Sequence, residues 1–504
     1  MKKHIPVRFV LAVLISLLET LAVIGIVVFL DIRFSLFRAL VLVTQMVCVL
    51  RIVASDDNPD YKVPWLLVVL TVPIAGFMVY FMFYSRKLKR KYLKRRKELL
   101  QYGYRYNDGE AFEALRRRDE AAFAQAKMLT EIAGTHLFTD TRQQYFALGE
   151  HMYARLLQDL QGAERFIYLE FFIIEAGEFW DSVLAILRQK VQQGVQVKVL
   201  YDDIGCMTTL PGNYYKTLQR YGIDAAPFGF LRGNADSEFN NRSHRKILVI
   251  DGKVGYTGGV NLADEYINRK VRFGHWKDTA VRLEGEAVWQ LTRLFIEDFG
   301  VSVRGMPARR EDWYPEQAMG EDGFLVPFGD GPRPLYARNV GKSVIQNLLY
   351  GAKRYVYMTT PYLIIDNDLC TDIENTAMRG VDVRIIVPHI PDKKTVFEMT
   401  RSFYPRLIAA GVKIYEYTPG FIHAKSYLAD DDYAMIGTVN LDYRSLVHHF
   451  ENGVWMYRCA CLKDLKADIE QTMCQSRRIT KADLRTGPLR SLLRAVVRIF
   501  SPML

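Results

Sequence analysis

One pattern in this 504-residue chain limits its fold more than any other, because it occurs twice. "SHRKILVIDG" at 243–252 and "IHAKSYLADD" at 422–431 each set a His, a Lys two positions on and, after four more residues, an Asp. The surroundings repeat as well. "RFIYLEFFII" (165–174) precedes a helical stretch, Phe179 to Gln193, which Gly194 ends before the strand-like "VQVKVLYDD". In the second half "RYVYMTTPYLII" (354–365), a helical stretch, Gly380 and "VDVRIIVPH" follow in the same order, and "YGIDAAPFGF" matches "AGVKIYEYTPGF". Short apolar strands alternating with helices imply an α/β sheet with helices packed over it, here built twice. The polar, Pro- and Gly-punctuated stretch 305–332 reads as the linker between a first repeat at 131–304 and a second at 333–480.

Side chains alternate faces along a strand, so His244 and Lys246 share a face, as do His423 and Lys425. Each His is followed 17 positions later by an Asn in a Gly-containing turn, Asn261 in "GGVN" and Asn440 in "GTVN". Lys supplies a point charge, the Asn amide a neutral donor beside close-approaching backbone, and His a nucleophile or proton carrier, a set suited to a phosphodiester. One such motif arises readily by chance; two, with matched His-to-Asn spacing, do not. Asp251 and Asp430 lie about 23 Å along an extended strand from their histidines and begin turns, so distance favours a role in holding the strand end. A catalytic imidazole also needs a partner for its second nitrogen. Asp278, 34 residues after His244, and Glu451, 28 after His423, adjoin apolar runs and are the expected orienting carboxylates.

The N-terminal region, 1–85, reads as a membrane anchor. Phe9–Leu30 carries one charge, Glu19, and its 22 residues reach about 33 Å as a helix. Leu36–Ala54 is a weaker segment and Val63–Tyr84 a strong one, its Pro73 and Gly76 tolerable within a membrane. The run "RKLKRKYLKRRK" (86–97) opens a basic juxtamembrane linker, 86–130, and places the catalytic part in the cytoplasm. The same charges attract anionic lipid, at about 1 kcal/mol per residue near the surface. Two or three spans are expected. The six cysteines form no CxxC, so neither a zinc site nor a disulfide framework is indicated. In the tail, 481–504, Arg490, Arg494 and Arg498 form one face of an amphipathic helix, suited either to an anionic membrane or to packing on the domain or a second subunit.

Together these motifs resemble the phospholipase D superfamily and, within it, the bacterial cardiolipin synthases. The resemblance is carried by "NNRSHRKILVIDGKVGYTGGVNLADEY", "GFIHAKSYLADDDYAMIGTVNLDYRSL", "TTPYLIIDNDL" and the ending "SPML". "HHFE" departs from it, His449 standing where an Asn often precedes the Phe. The resemblance implies two α/β sandwich repeats forming one pseudo-twofold catalytic unit behind N-terminal transmembrane helices. It implies His244 as nucleophile, His423 as acid and base, Lys246, Lys425, Asn261 and Asn440 around the phosphate, and, by family convention, Asp251 and Asp430 as active-site members. Phosphatidylglycerol and cardiolipin in an anionic cell membrane are the implied partners, a homo-oligomer is left open, and neither metal, cofactor nor nucleic acid is implied. Another phosphatidyltransferase, a lipid hydrolase and a membrane-tethered nuclease remain the alternatives, since the motifs do not distinguish acceptors.

Overall fold

The computed structural model describes residues 35–83, 107–229, 241–303, 319–336, 338–484 and 487–503, with scattered positions between 18 and 29 and between 93 and 97. Most of the apolar stretch Phe9–Leu30 and of the basic run 86–97 lies outside the described residues.

Two sheets carry the duplication. The first runs Thr141–Phe146, Ala280–Gly285, Val254–Gly258, Ile247–Ile250, Phe166–Phe171, Gln196–Asp202, Asp224–Phe228. The second, read in the same direction, runs Phe324–Asp330, Glu451–Tyr457, Tyr433–Gly437, Ser426–Ala429, Tyr355–Thr359, Asp382–Pro388, Lys413–Tyr417, with Ser476–Arg478 added at the edge. Strand for strand the orders correspond. In each sheet three parallel strands meet an antiparallel set, and the strand that follows the His–Lys pair, Ile247–Ile250 or Ser426–Ala429, sits at the change of direction. Both are buried on both faces, which explains the unbroken Ile-Leu-Val-Ile of the first and leaves one small polar residue, Ser426, in the second. One face of each sheet packs into a shared core, where Tyr168, Ile247 and Leu283 of the first meet Ile386, Leu428 and Val454 of the second. Helices of each repeat cover the outer faces. Burying both sheets against each other brings the two motifs to one seam.

Four sequence-based boundaries change. Strand Phe324–Asp330, inside the expected linker 305–332, is an edge strand of the second sheet, pairing with Glu451–Tyr457. Pro327 is tolerated there because an edge strand leaves one row of N–H groups unused. Helices Gly109–Arg118 and Glu120–Ala133 fall largely in the expected linker 86–130, yet Leu115, Ala126 and Leu129 are buried in the second repeat's core. The strong third segment is broken. Pro59–Thr71 and Pro73–Phe83 are separate helices joined at Val72, whose φ of −130° and ψ of 76° leave the helical region, as expected before a proline. At about 20 and 17 Å neither spans a bilayer alone. Among the described residues the helix long and apolar enough to cross is Ser35–Ala54, from the segment expected to be weaker.

The tail helix Pro488–Ile499 faces the other way from a basic membrane-surface helix. Arg490 and Arg494 both bind Glu398 of helix Lys394–Ala409, Arg494 at 2.8 Å, and the Arg498 guanidinium lies 4.5 Å over the Phe403 ring. The arginine face is the docking face, and the apolar face looks out.

Candidate active site

The seam between the repeats is laced by short strand pairings. Gly420–Ile422 runs parallel to His275–Lys277, and the N–H of His423 donates to the Lys277 carbonyl at 2.7 Å. Ser243 bridges Phe450, and the N–H of His244 donates to the Phe450 carbonyl at 2.8 Å. Each histidine therefore leaves its own repeat's sheet and lies beside a strand of the other repeat, next to that strand's carboxylate.

The orienting pairs are accordingly crossed. His244 Nδ1 lies 2.9 Å from Glu451, and His423 Nδ1 lies 2.6 Å from Asp278. The spacings within each half, Asp278 after His244 and Glu451 after His423, connect residues that do not pair; each carboxylate meets the histidine of the other half. Glu451 is held in turn by the hydroxyls of Thr438 and Ser445, and Asp278 by the N–H of Thr279 at 2.8 Å. With Nδ1–H donated to a carboxylate, Nε2 is the nitrogen left for chemistry in each ring.

Lys246 and Lys425 turn back over their histidines. Lys246 Nζ donates to the His244 carbonyl at 2.6 Å, and Lys425 Nζ lies 2.7 Å from His423 Nδ1. Burial drives every charge in the cluster toward neutrality. It lowers both imidazoles well below the usual histidine range, aided at His244 by Lys246 and Lys425 and at His423 by Lys425 and Lys246. Burial lowers Lys425 to about 8 and raises Asp278 to about 6 and Glu451 to about 7. Neutral histidines at neutral pH are nucleophiles and bases, and an incoming phosphate would restore the lysine charges.

His244, His423, Asn261, Asn440 and His449 line one cavity of about 350 Å³. The two asparagines are held differently. Asn261 accepts from the Ile173 N–H at 3.0 Å and donates to the Tyr266 hydroxyl at 2.7 Å. Asn440 donates to Asp442 at 2.9 Å.

Asp251 and Asp430 do not line the cavity, in contrast to the active-site membership that the resemblance implies. Asp251 accepts from the N–H groups of Glu164, Arg165 and Phe166 at 2.7–2.9 Å. Asp430 accepts from those of Lys353, Arg354 and Tyr355 at 2.6–2.9 Å. Each carboxylate collects the open N–H groups where the neighbouring strand begins.

Sequence reasoning missed several members. Tyr266 and Ser445 each follow their Asn by five positions, one holding Asn261 and the other accepting from the Asn440 N–H at 2.8 Å. The repeat alignment carries that signal, although the residue types differ. Phe172 packs edge-on to His244 at 5.2 Å and Trp276 beside His423 at 5.5 Å, giving the site apolar walls. His449 lies 5.6 Å from His244, ring to ring. His244, His449 and Glu451 bring ligand atoms within 4.8 Å of one another; the Glu451 oxygens are committed to His244, Thr438 and Ser445, and His449 Nδ1 stands 3.8 Å from Glu451, beyond hydrogen-bond reach.

Residues 156–291 and 345–473 match the family described as "Cardiolipin synthase, PLD-like domain", and residues 43–83 match "Phospholipase D-nuclease N-terminal". A cardiolipin synthase of Halalkalibacterium halodurans is 30% identical over 93% of this chain and 94% of its own length. An uncharacterized protein of Streptococcus mutans is 41% identical over 90% of this chain and 99% of its own. The crystal structure of a phosphatidylserine synthase from Haemophilus influenzae superposes with a TM-score of 0.57 at 15% identity, covering 76% of this chain and all of that one, a likeness of fold.

Proposed function

Because the chain belongs to the cardiolipin synthase family of phospholipase D-like enzymes, we propose that it transfers a phosphatidyl group from one phosphatidylglycerol to another through a phosphohistidine. The supporting observation is the crossed His–carboxylate pairs, whose histidines line one cavity while each lysine folds back onto its own histidine. The resemblance assigns the roles. His244 Nε2 attacks phosphorus, the P–O bond to the headgroup glycerol breaks, and His423, which takes up a proton on Nε2 when the negative phosphodiester binds beside it and Asp278 offsets its charge, delivers that proton to the departing oxygen. The terminal hydroxyl of a second phosphatidylglycerol then gives its proton to His423 and attacks phosphorus; the P–N bond breaks and its electron pair returns to His244. Lys246, Lys425 and the asparagines offset the charge on the phosphoryl oxygens. One diester bond is exchanged for another, so the atom balance needs no nucleotide.

Glu451 and Asp278 act through their histidines, holding the tautomer and stabilising the imidazolium. Asp251 and Asp430 act only through the strands they anchor. The family and the exposed Ser35–Ala54 helix support attachment to a membrane, and the basic run after the anchor supports a cytoplasmic catalytic unit.

The test uses full-length protein in mixed bilayers with labelled phosphatidylglycerol, chelator present and nucleotide absent. Cardiolipin with equimolar glycerol is the expected product. Phosphatidic acid alone would make water the acceptor and the chain a hydrolase.

A further inference from the structure

Two apolar stripes face outward at one edge of the molecule. On helix Pro59–Thr71, Tyr61, Trp65 and Val69 are buried while Val63, Leu67 and Leu70 are exposed. On the tail helix Leu492, Val496 and Ile499 are 63%, 46% and 39% exposed, at the same four-then-three spacing. The stripes meet, because Val63 and Ile499 line a single cavity of about 500 Å³. That cavity adjoins the catalytic one, since Tyr443 and Ser501 line both.

The same edge carries the membrane helix. Gln45 of Ser35–Ala54 donates to the Val69 carbonyl at 2.9 Å, and of that 20-residue helix only Cys48 and Ile52 are buried. Helix Pro59–Thr71 is bolted to the catalytic unit by Asp60, which accepts from the Asn367 N–H at 2.6 Å and the Tyr443 hydroxyl at 3.3 Å. The edge is thus continuous, from a helix apolar nearly all round, through two outward stripes, to a cavity of mixed polarity beside the histidines. Contiguous exposed apolar surface of this kind requires an occupant, and here its continuity with the membrane helix identifies a bilayer.

We propose that the stripes of Pro59–Thr71 and the tail insert into the lipid, and that the cavity between them is the portal for a phospholipid substrate. The acyl chains stay in the bilayer that the stripes enter, while the headgroup passes through the cavity and reaches the histidines past Tyr443 and Ser501. The Arg490–Glu398 and Arg494–Glu398 pairs then turn the tail's apolar face toward the lipid. The substrate named here rests on the phosphatidyltransferase reading; the insertion does not.

The double variant L492D/V496D changes exposed side chains alone. It is to be compared with the unaltered chain on bilayer phosphatidylglycerol and on monomeric dihexanoyl-phosphatidylglycerol, which needs no membrane. Bilayer turnover should fall about tenfold or more, with short-chain turnover within about twofold. An equal fall on both substrates, or none on the bilayer, overturns the portal. Independently, the fluorescence added by L492W, read as the difference from the unaltered chain with its six tryptophans, should be quenched by brominated lipid in phosphatidylglycerol vesicles. An unquenched signal overturns insertion, whether water or a second copy of the chain covers the stripe. A quenched chain that forms no cardiolipin from either substrate would instead defeat the reaction reading and leave the insertion standing.

Discussion

At His244 and His423, burial and the neighbouring lysines act in one direction, and the pH dependence follows from it. Glu451 and Asp278 must be ionised to hold Nδ1–H, and burial raises them to about 7 and about 6. Activity should therefore fall as pH drops through that range. Lys425, lowered by burial to about 8, loses its charge as pH rises, so kcat/KM should fall again above that value. Bound phosphate raises the lysine, so the alkaline limb of kcat should lie higher than that of kcat/KM; coincident limbs would remove Lys425 from phosphate binding. The histidines and the motif aspartates should also separate cleanly. His244→Ala should cost on the order of 10⁴-fold or more in turnover with an unchanged melting temperature. Asp251→Asn and Asp430→Asn should each cost about 1–3 kcal/mol of stability, by removing charge from a three-bond strand anchor, while turnover per folded molecule stays within a few-fold. Denaturant titration beside the lipid assay distinguishes the two classes. The duplicated spacing makes His244, Lys246, Asn261 and their second-half counterparts legible in the sequence. The partner exchange is not, because Asp278 and Glu451 are chosen by strand pairings across the seam and not by distance along the chain.

Elements were legible where periodicity decided them and misread where a neighbour did. Val63–Tyr84 has the composition of a span, but Val72 before Pro73 breaks it, and Gly76 lets the two pieces close up. A Cβ there would meet the Val68 carbonyl oxygen at 2.4 Å. Gly76→Leu should thus open the hairpin and lower the thermal stability of the solubilised protein, whereas the exposed Leu70→Ala should not. The strand Phe324–Asp330 hid behind its proline and flanking glycines, signs of a loop that an edge position neutralises. The arginine period of the tail was visible, but its direction was set by Glu398, remote in sequence. Glu398→Arg should release the helix, seen as faster proteolysis after residue 487. Exposed pairs of this kind contribute only about 0.2–1 kcal/mol each, so the fold itself should survive.

At the scale of the molecule, the catalytic centre belongs to neither repeat. His244 needs Glu451 and His423 needs Asp278, while helix Glu120–Ala133 from the N-terminal side fills the core under the second sheet. Chains 1–318 and 319–504 expressed separately should be inactive, and co-expression should restore cardiolipin formation; turnover by either fragment alone would contradict the interlock. The exchange also bears on the history of the chain. After most duplications one copy is free to decay while the other keeps the activity. Here a change at Glu451 unsettles His244 in the other copy, and a change at Asp278 unsettles His423. Selection on either half is then selection on both, and two copies that began as spares hold each other to their original residues.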